Sequence, residues 1–390
     1  MNKEYEKLIL QFEAAGYKLS EDMAKVIYEM QKRNQEDILN QIAKILLSYT
    51  IKDSELSISD NDRKKLQQDF NEKITAVMNC QLTSENEVIA SILKKVVEQK
   101  YYTSAYAMSL GINYKLKKVS NGDIDKIVNS KLQGEAWGER LWENKKAMAS
   151  ELQQQAADFL KGKVNVNQIE DAIKNKFNQN AYNSHRLVQT EVARCQTAAN
   201  DLFAEKHSVK QQMFCATLDS RTSETCRGYD GKVFDIDDSN KPTPPLHPFC
   251  RSCLINIPYD DWKPKMRVDN ETKEKIPYMT YDEWYEKIVK AKVQNAYNEL
   301  IGLKVKTGLD INSVSEHLTE RAIQRKVSAI EARDALINPL KIGKIVSKEN
   351  GNSQEFVGEF ARVIINPDTG NIITIWKTSS KLRTKLKGGK

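Results

Sequence analysis

Residues 217–253 read TLDSRTSETCRGYDGKVFDIDDSNKPTPPLHPFCRSC and carry the most distinctive chemistry of the chain. They hold three of its six cysteines, one of its four histidines and four of its nine prolines. Two intervening residues separate His247 from Cys250 and Cys250 from Cys253, and Cys226 precedes all three. Such spacing lets side chains in a tight turn converge on one ion. The sequence therefore predicts a metal site with the ligands Cys226, His247, Cys250 and Cys253.

A site with these four ligands would be structural, because a hydrolytic zinc keeps one coordination position open for water. Bound zinc would join the turn at Cys226 to the loop at Cys250. Other interpretations fit the same residues: a disulfide, reduced buried thiols without metal, redox or nucleophilic chemistry, and a zinc-dependent hydrolase with an open position. Cys215 follows Met213 and Phe214 and is predicted to pack as a small apolar residue on a strand.

Four motifs follow one another along the chain. They are QTEVAR at 189–194, ATLDSRT at 216–222, DGKVF at 230–234 and PPLHPFCR at 244–251. This series resembles the phage minor head protein family, the head-morphogenesis group that includes phage Mu protein F-like proteins, over residues 137–258. The resemblance implies a virion or procapsid component that works with portal, capsid or scaffolding proteins in head assembly or DNA delivery.

The chain departs from the family pattern at Ser223. Many members carry two cysteines before the Asp-Gly turn, and Ser223 stands where the first of them would fall. This departure weakens the zinc prediction unless Cys253 supplies the missing ligand. Structural zinc is nevertheless the cofactor that the sequence predicts.

The chain has 390 residues, enough for two or three domains. Its first residues, MNKEYEKLIL, lack the apolar core of a signal peptide, and no later apolar run has the length of a membrane span. We therefore expect a soluble protein without a membrane partner. The family resemblance implies that it is located in the virion head and the host cytoplasm.

Positive charge concentrates at the C-terminus. The net charge is +7, and residues 310–390 contain 14 Lys and Arg against 9 Asp and Glu. The tail 381–390 has five basic residues, a composition compatible with disorder and with electrostatic contact to nucleic acid. Packaged DNA or host RNA is therefore an expected partner of the C-terminal region.

The N-terminal and central region is predicted to be mainly helical, because apolar residues recur at helical spacing and no proline occurs before Pro242. A loop is expected at 52–62, a helix from a cap at 165 to residue 177, another helix at 185–206, and a strand at 210–218. The predicted domains are a helical N-terminal region at 1–133, a head-morphogenesis domain with a small α+β cysteine-containing part at 134–258, a linker and helix at 259–305, and an α+β C-terminal domain at 306–390.

The C-terminal domain is predicted to form helices followed by an antiparallel meander. A first helix, capped by Ser315, carries His317, Arg321 and Arg325 at four-residue steps on one face. A second helix begins at a capping box and ends at an Asn-Pro pair. Strands rich in Ile, Val and Phe are expected at 342–347, 355–365 and 371–378.

The sequence NPDTG at 366–370, followed by Thr374, Trp376 and Thr378, resembles phage-borne nucleases of the barnase, EndoU, colicin and RelE group. The resemblance implies a metal-independent ribonuclease that needs no cofactor. Such chemistry requires an acid, a base and cations near the phosphate. The predicted catalytic residues are His317 as acid or base, Arg321 and Arg325 as phosphate ligands, and Thr374 or Thr378 as orienting hydroxyls.

Other functions fit the same C-terminal residues. The domain would bind packaged DNA without cleaving it, or would be a purely structural tip, if its basic residues were an ordinary solvated face. Alternatively, the whole chain would be a free-standing toxin in which residues 1–300 serve as a delivery scaffold. Association with procapsids separates a head protein from a free toxin.

Overall fold

The computed structural model describes residues 2–52, 55–109, 114–259, 262, 264–315, 317–348 and 351–388. It divides into two units, Met1–Tyr278 and Met279–Lys390. Long helices dominate the first unit, which ends in a small mixed part, and the second unit combines helices with a mostly antiparallel sheet. The predicted fold class, helical regions followed by an α+β module, is confirmed. The bounds of the four domains drawn from the sequence stay predictions.

Helices, most of them long, form the frame of the first unit. They are α1 (Asn2–Ser48), α2 (Asp60–Ser109), α3 (Asn121–Val128), α4 (Trp137–Leu160) and α5 (Val166–Lys206). The strands β1 (Thr50–Lys52) and β2 (Glu55–Ser57) connect α1 to α2, so the expected loop at 52–62 contains strand residues and the start of α2. Apolar side chains pack between the helices in two groups, one around Leu93 and Val188 and one around Phe70 and Phe177.

Helix α5 is continuous over 41 residues, so the expected break between 177 and 185 is wrong. Asn180 and Ser184 lie in that interval, and such side chains commonly favour caps and turns. Here both are buried and bond to other helices instead. Asn180 Oδ1 accepts from Lys145 Nζ at 3.0 Å, and Ser184 Oγ donates to Glu85 Oε2 at 3.1 Å. The predicted cap at 165 is confirmed by both of its reciprocal hydrogen bonds.

A buried ion pair joins the long helices. Glu85 on α2 and Lys145 on α4 are almost fully buried, and Oε1 and Nζ lie 2.7 Å apart. The carboxylate also accepts from Gln31 on α1 at 2.9 Å, from Gln81 at 2.8 Å and from Ser184 on α5 at 3.1 Å. Burial lowers the pKa of Lys145, and the facing carboxylate opposes that shift. Because charges this deep are stable only with partners, the pair fixes the alignment of α1, α2, α4 and α5.

We expect Lys145→Met to lower the free energy of unfolding of the helical unit by about 3 to 5 kcal/mol, because the Glu85 charge would stay buried without its cation. Adding Glu85→Gln should recover most of the loss, since no buried charge then remains. Urea unfolding of the full chain, followed by far-UV circular dichroism, measures both effects. Lys64→Met, at an exposed position of α2, is the control. Equal unfolding midpoints for the native chain and Lys145→Met would contradict the role of the pair.

A small mixed part follows α5. Its elements are β3 (Gln211–Cys215), α6 (Glu224–Tyr229), β4 (Val233–Asp235), β5 (Cys253–Asn256) and the hairpin of β6 (Met266–Val268) and β7 (Lys275–Pro277). One antiparallel sheet has the order β4-β3-β5. The strand expected at 210–218 and the small α+β cysteine-containing part are therefore confirmed.

The second unit begins with a helical segment and ends with a sheet. The helical elements are α7 (Tyr281–Trp284), a π-helical turn (Tyr285–Lys290), α8 (Ala291–Asn298), α9 (Leu318–Arg325), α10 (Ala329–Ile337) and α11 (Ser380–Leu386). The strands are β8 (Ser313–Val314), β9 (Lys341–Ile342), β10 (Val346–Lys348), β11 (Gly351–Val357), β12 (Ala361–Asn366) and β13 (Asn371–Lys377). The sheet order is β10-β11-β12-β13-β8, with β9 also on β11 and with β8 parallel to β13.

The structure corrects three details of the predicted C-terminal domain. The single strand expected at 355–365 is instead a hairpin of β11 and β12, which the chain forms by turning at Gly358. A Cβ atom at position 358 would lie 2.6 Å from Ala335 of α10, so the close approach requires glycine. Ser315 does not cap α9, since its hydroxyl donates to the Ile373 carbonyl at 3.0 Å and His317 occupies the N-cap position. The composition of the tail 381–390 was compatible with disorder, but part of the tail forms the helix α11.

Candidate functional site

Cys226, His247 and Cys250, three of the four predicted metal ligands, lie together. Cys226 belongs to α6, whereas His247 and Cys250 come from the loop before β5. Cys226 Sγ lies 3.3 Å from His247 Nε2 and 3.8 Å from Cys250 Sγ. In a tetrahedral zinc site, metal–ligand distances of about 2.0 to 2.3 Å place the ligand atoms about 3.5 to 3.8 Å from one another. The Cys226–Cys250 distance lies at the upper end of this range and the Cys226–His247 distance is slightly shorter, so the three ligand atoms are close enough to share one ion.

The ring of His247 is oriented for this role. Nδ1 lies 2.9 Å from the Pro248 carbonyl oxygen, which can only accept a hydrogen bond. Nδ1 therefore carries the proton, and Nε2 turns its lone pair toward the cluster. Metal-ligating histidines are commonly oriented in this way.

The two cysteines of the cluster share a contact that separates their pKa values. The Cys226 thiol donates toward the Cys250 sulfur, which lowers the pKa of Cys250 to about 6. The same contact, together with burial, raises the pKa of Cys226. The contact therefore favours ionisation of Cys250 over Cys226, and the thiolate is the form that binds metal.

Cys253 lies outside this cluster, in β5, where the sheet register places it opposite Cys215 of β3. Ser223 lies at the cluster instead. Its hydroxyl is 2.8 Å from His247 Nε2 and accepts from the Cys226 backbone N–H at 3.3 Å, which caps α6. A hydroxyl thus stands at the position where the family pattern has a cysteine.

We expect Ser223→Cys to raise the affinity for zinc by at least about tenfold, because it would complete a Cys3His set. Competition with a chromogenic chelator and metal analysis of the purified chain measure the change. Ser220→Cys, an exposed position outside the cluster, is the matched control. Equal affinities of the two variants would show that position 223 does not face a metal site.

The charged residues of the QTEVAR motif hold helices together. Glu191 is fully buried and binds both Arg140 of α4 and Arg194. Arg194 also donates to the carbonyls of Ile127 at 2.7 Å and Val128 at 3.0 Å, the last two residues of α3. A cation there satisfies carbonyls that have no partner within the helix. The motif therefore has a structural role in the bundle.

Two buried aspartates fasten the irregular segment 217–253. Asp219 of the ATLDSRT motif binds both terminal nitrogens of Arg251. Asp230 of the DGKVF motif binds both terminal nitrogens of Arg267, each at 2.7 Å, and accepts from the Ala216 N–H at 2.7 Å. Arg267 lies in β6, beyond the motifs, so the sequence analysis did not identify it. These ion pairs position the loop that carries His247 and Cys250.

In the second unit, α9 and β13 bring together three of the residues predicted for RNA cleavage. Arg321 Nη1 and Arg325 Nη1 donate to Thr374 Oγ1 at 3.0 and 3.2 Å. Burial, and then the charge of Arg321, lower the pKa of Arg325. Within the described residues, neither guanidinium forms an ion pair with a carboxylate. Two such cations side by side form a suitable site for an anion.

The other two predicted catalytic residues are placed differently. His317 is exposed at the N-cap of α9, one turn before Arg321, and its side chain forms no hydrogen bond within the described part of the chain. The Thr378 hydroxyl donates to the Gly358 carbonyl at 2.9 Å, so the fold already engages it at the β11–β12 turn. The catalytic roles of His317 and Thr378 stay predictions.

Arg362 and Trp376 border the arginine cluster, and the sequence analysis gave them no role. The guanidinium carbons of Arg325 and Arg362 lie 4.5 and 5.9 Å from the centroid of the Trp376 ring. Arg362 also pairs with Glu355 of β11. Knowledge of the strand register would have connected these two residues, because Arg362 of β12 and Trp376 of β13 lie directly opposite each other.

Residues 143–255 match the family model described as Phage Mu protein F like protein. The match supports the phage head-morphogenesis family for that part of the chain. The NAD(+)--arginine ADP-ribosyltransferase EFV of Enterococcus faecalis (strain ATCC 700802 / V583) is 24% identical over 293 residues. This alignment covers 67% of the chain but 59% of that relative, so the chain spans less than two thirds of the relative's length. No solved structure matches. None of the helices in the described ranges is long and apolar enough to cross a membrane.

Proposed function

We propose that this chain is a minor head protein of a phage or prophage and that residues 306–390 form a metal-independent ribonuclease. The head protein acts in head assembly and in DNA packaging or delivery at the portal, and its partners are portal, capsid or scaffolding proteins. The observation that carries this part is the family match over 143–255. The ribonuclease part rests on the convergence of Arg321 and Arg325 on Thr374.

Exposed aromatic side chains support a role in protein contacts for the helical unit. Tyr28, Tyr106, Trp142 and Tyr182, on α1, α2, α4 and α5, are each about half exposed. Aromatic residues are enriched at protein interfaces because they bury much apolar area and still offer a polar group. In a virion component, these positions would contact neighbouring head proteins.

In the proposed ribonuclease reaction, the substrate supplies the nucleophile. A base takes the proton of the 2′-hydroxyl, and the 2′-oxygen attacks phosphorus. The bond from phosphorus to the 5′-oxygen then breaks, an acid protonates that oxygen, and the products carry a 2′,3′-cyclic phosphate and a 5′-hydroxyl. His317 serves as the acid or the base, and Arg321 and Arg325 stabilise the negative charge of the phosphorane.

Zinc at the cysteine cluster would link two segments of the head protein, and its three protein ligands would leave the fourth coordination position open. Cys226, His247 and Cys250 would hold zinc, and the metal would join α6 to the loop before β5. The ion pairs of Asp219 and Asp230 already fasten this segment, so zinc would add stability to an existing arrangement.

Arginine ADP-ribosylation is a second candidate activity, and the name of the enterococcal relative is the observation that favours it. The chain covers only part of that protein. Transfer of label from NAD(+) to an arginine-containing acceptor tests it directly.

We expect the purified chain to cleave single-stranded RNA in the presence of EDTA and to leave cyclic phosphate ends. His317→Ala and Arg321→Ala should each slow cleavage by at least about 100-fold, because one removes proton transfer and the other charge stabilisation. Arg333→Ala, an exposed arginine on α10, is the matched control. Intact RNA after incubation with the folded native chain would contradict the ribonuclease proposal.

We also expect the full chain to co-sediment with procapsids assembled from the portal and capsid proteins of its phage. A free toxin would stay in the supernatant, because it has no reason to enter heads. Removing the exposed aromatic at Trp142 or Tyr182 should reduce incorporation if those helices contact the head, and Lys64→Met serves as the control. Sedimentation independent of procapsids would count against the assembly role.

A further inference from the structure

The sheet of the second unit has two different faces. Ala361, Val363 and Ile365 of β12 are buried and pack in one core with residues of α9 and α10. The alternate residues of β12, including Arg362 and Ile364, are only partly buried. Successive side chains of a strand point to opposite faces, so Arg362 and Ile364 lie on the opposite face of the sheet from Ala361, Val363 and Ile365. Arg321 and Arg325 of α9 reach this more open face at Thr374.

The register extends this open face across neighbouring strands. Arg362 is opposite Trp376, and Ile364 is opposite Thr374 on β13 and Glu355 on β11. Opposite residues in an antiparallel pair share a face. The open face therefore carries an aromatic ring and an aliphatic side chain beside the hydroxyl on which Arg321 and Arg325 converge.

Two arginine side chains lie close to the indole ring of Trp376. The indole is only partly buried, with the guanidinium of Arg325 at 4.5 Å and that of Arg362 at 5.9 Å from its centroid. A phosphate site alone needs cations and hydrogen-bond donors, whereas a ring next to them offers a surface for a base. Nucleobases stack on aromatic rings and on guanidinium planes when they are not already stacked in a duplex.

We propose that the second unit binds single-stranded RNA and that Trp376 stacks one unpaired base. Arg325 and Arg362 lie over parts of the indole, so the base stacks on the part of the ring that they leave exposed, and Arg321 with Arg325 holds the adjoining phosphate. A duplex cannot present its bases to Trp376, because they are stacked and paired within the helix. This inference deepens the proposed ribonuclease by naming its substrate and a specificity-determining residue, and it concerns binding, so it can be tested without cleavage.

The test uses the full chain with His317→Ala, which prevents cleavage if the proposed reaction is correct. Fluorescence anisotropy compares a labelled single-stranded RNA of about ten nucleotides, the same backbone without bases, and the matching duplex. Trp376→Ala should weaken binding of the single strand by at least about fivefold and leave binding of the abasic strand within about twofold. Trp376→Phe should retain most of the affinity, and Tyr259→Ala, at an exposed aromatic of the first unit, should leave the binding of all three probes unchanged.

Three results would overturn the inference. If Trp376→Ala weakens the base-containing and abasic strands equally, the indole only orients Arg325. If the duplex binds as tightly as the single strand, the site binds the phosphates alone and does not contact an unpaired base. Absence of binding to any of the three probes would remove the site altogether. A different result would contradict the ribonuclease proposal alone. If the native chain shows the expected binding pattern but does not cleave RNA, it binds single strands without being a ribonuclease.

Discussion

The carboxylate of Glu85 is the constraint on which the helical unit depends. It sits where four helices meet and accepts hydrogen bonds from Gln31, Gln81 and Ser184 as well as from Lys145. Apolar packing alone tolerates a shift of one helix along another, because one aliphatic contact replaces a similar one. A buried charge does not tolerate it, since a shifted helix would leave the carboxylate without donors. The long helices of this unit therefore have one favoured alignment.

The same logic explains why the irregular segment 217–253 keeps a defined shape. It contains few strand or helix residues, so backbone ladders contribute little to it, and its apolar residues pack in a small cluster around Cys226 and Cys250. Asp219 and Asp230 replace them with paired, buried contacts to Arg251 and Arg267. The cluster of Cys226, His247 and Cys250 forms on this framework.

Local features of the sequence predicted local features of the structure. The caps at 165 and 328 were correct because each depends on two residues three positions apart. The continuity of α5 could not be predicted, since it depends on Lys145 and Glu85, which are 35 and 99 residues from their partners in that helix. Likewise, spacing alone grouped Cys253 with Cys250, but β5 begins at Cys253 and the sheet register takes its side chain to Cys215. The partnership of Arg362 with Trp376 required the same knowledge of register.

In the described part of the second unit, two neighbouring arginines lack the carboxylate partner that several other cations have. Several of its cations have carboxylate partners: Lys290 pairs with Glu286 and Glu320, Arg362 with Glu355, and Lys377 with Glu331. Arg321 and Arg325 share a neutral hydroxyl instead and repel each other across it. A negatively charged ligand can supply that missing partner, and the indole beside it favours a ligand that also carries a flat ring.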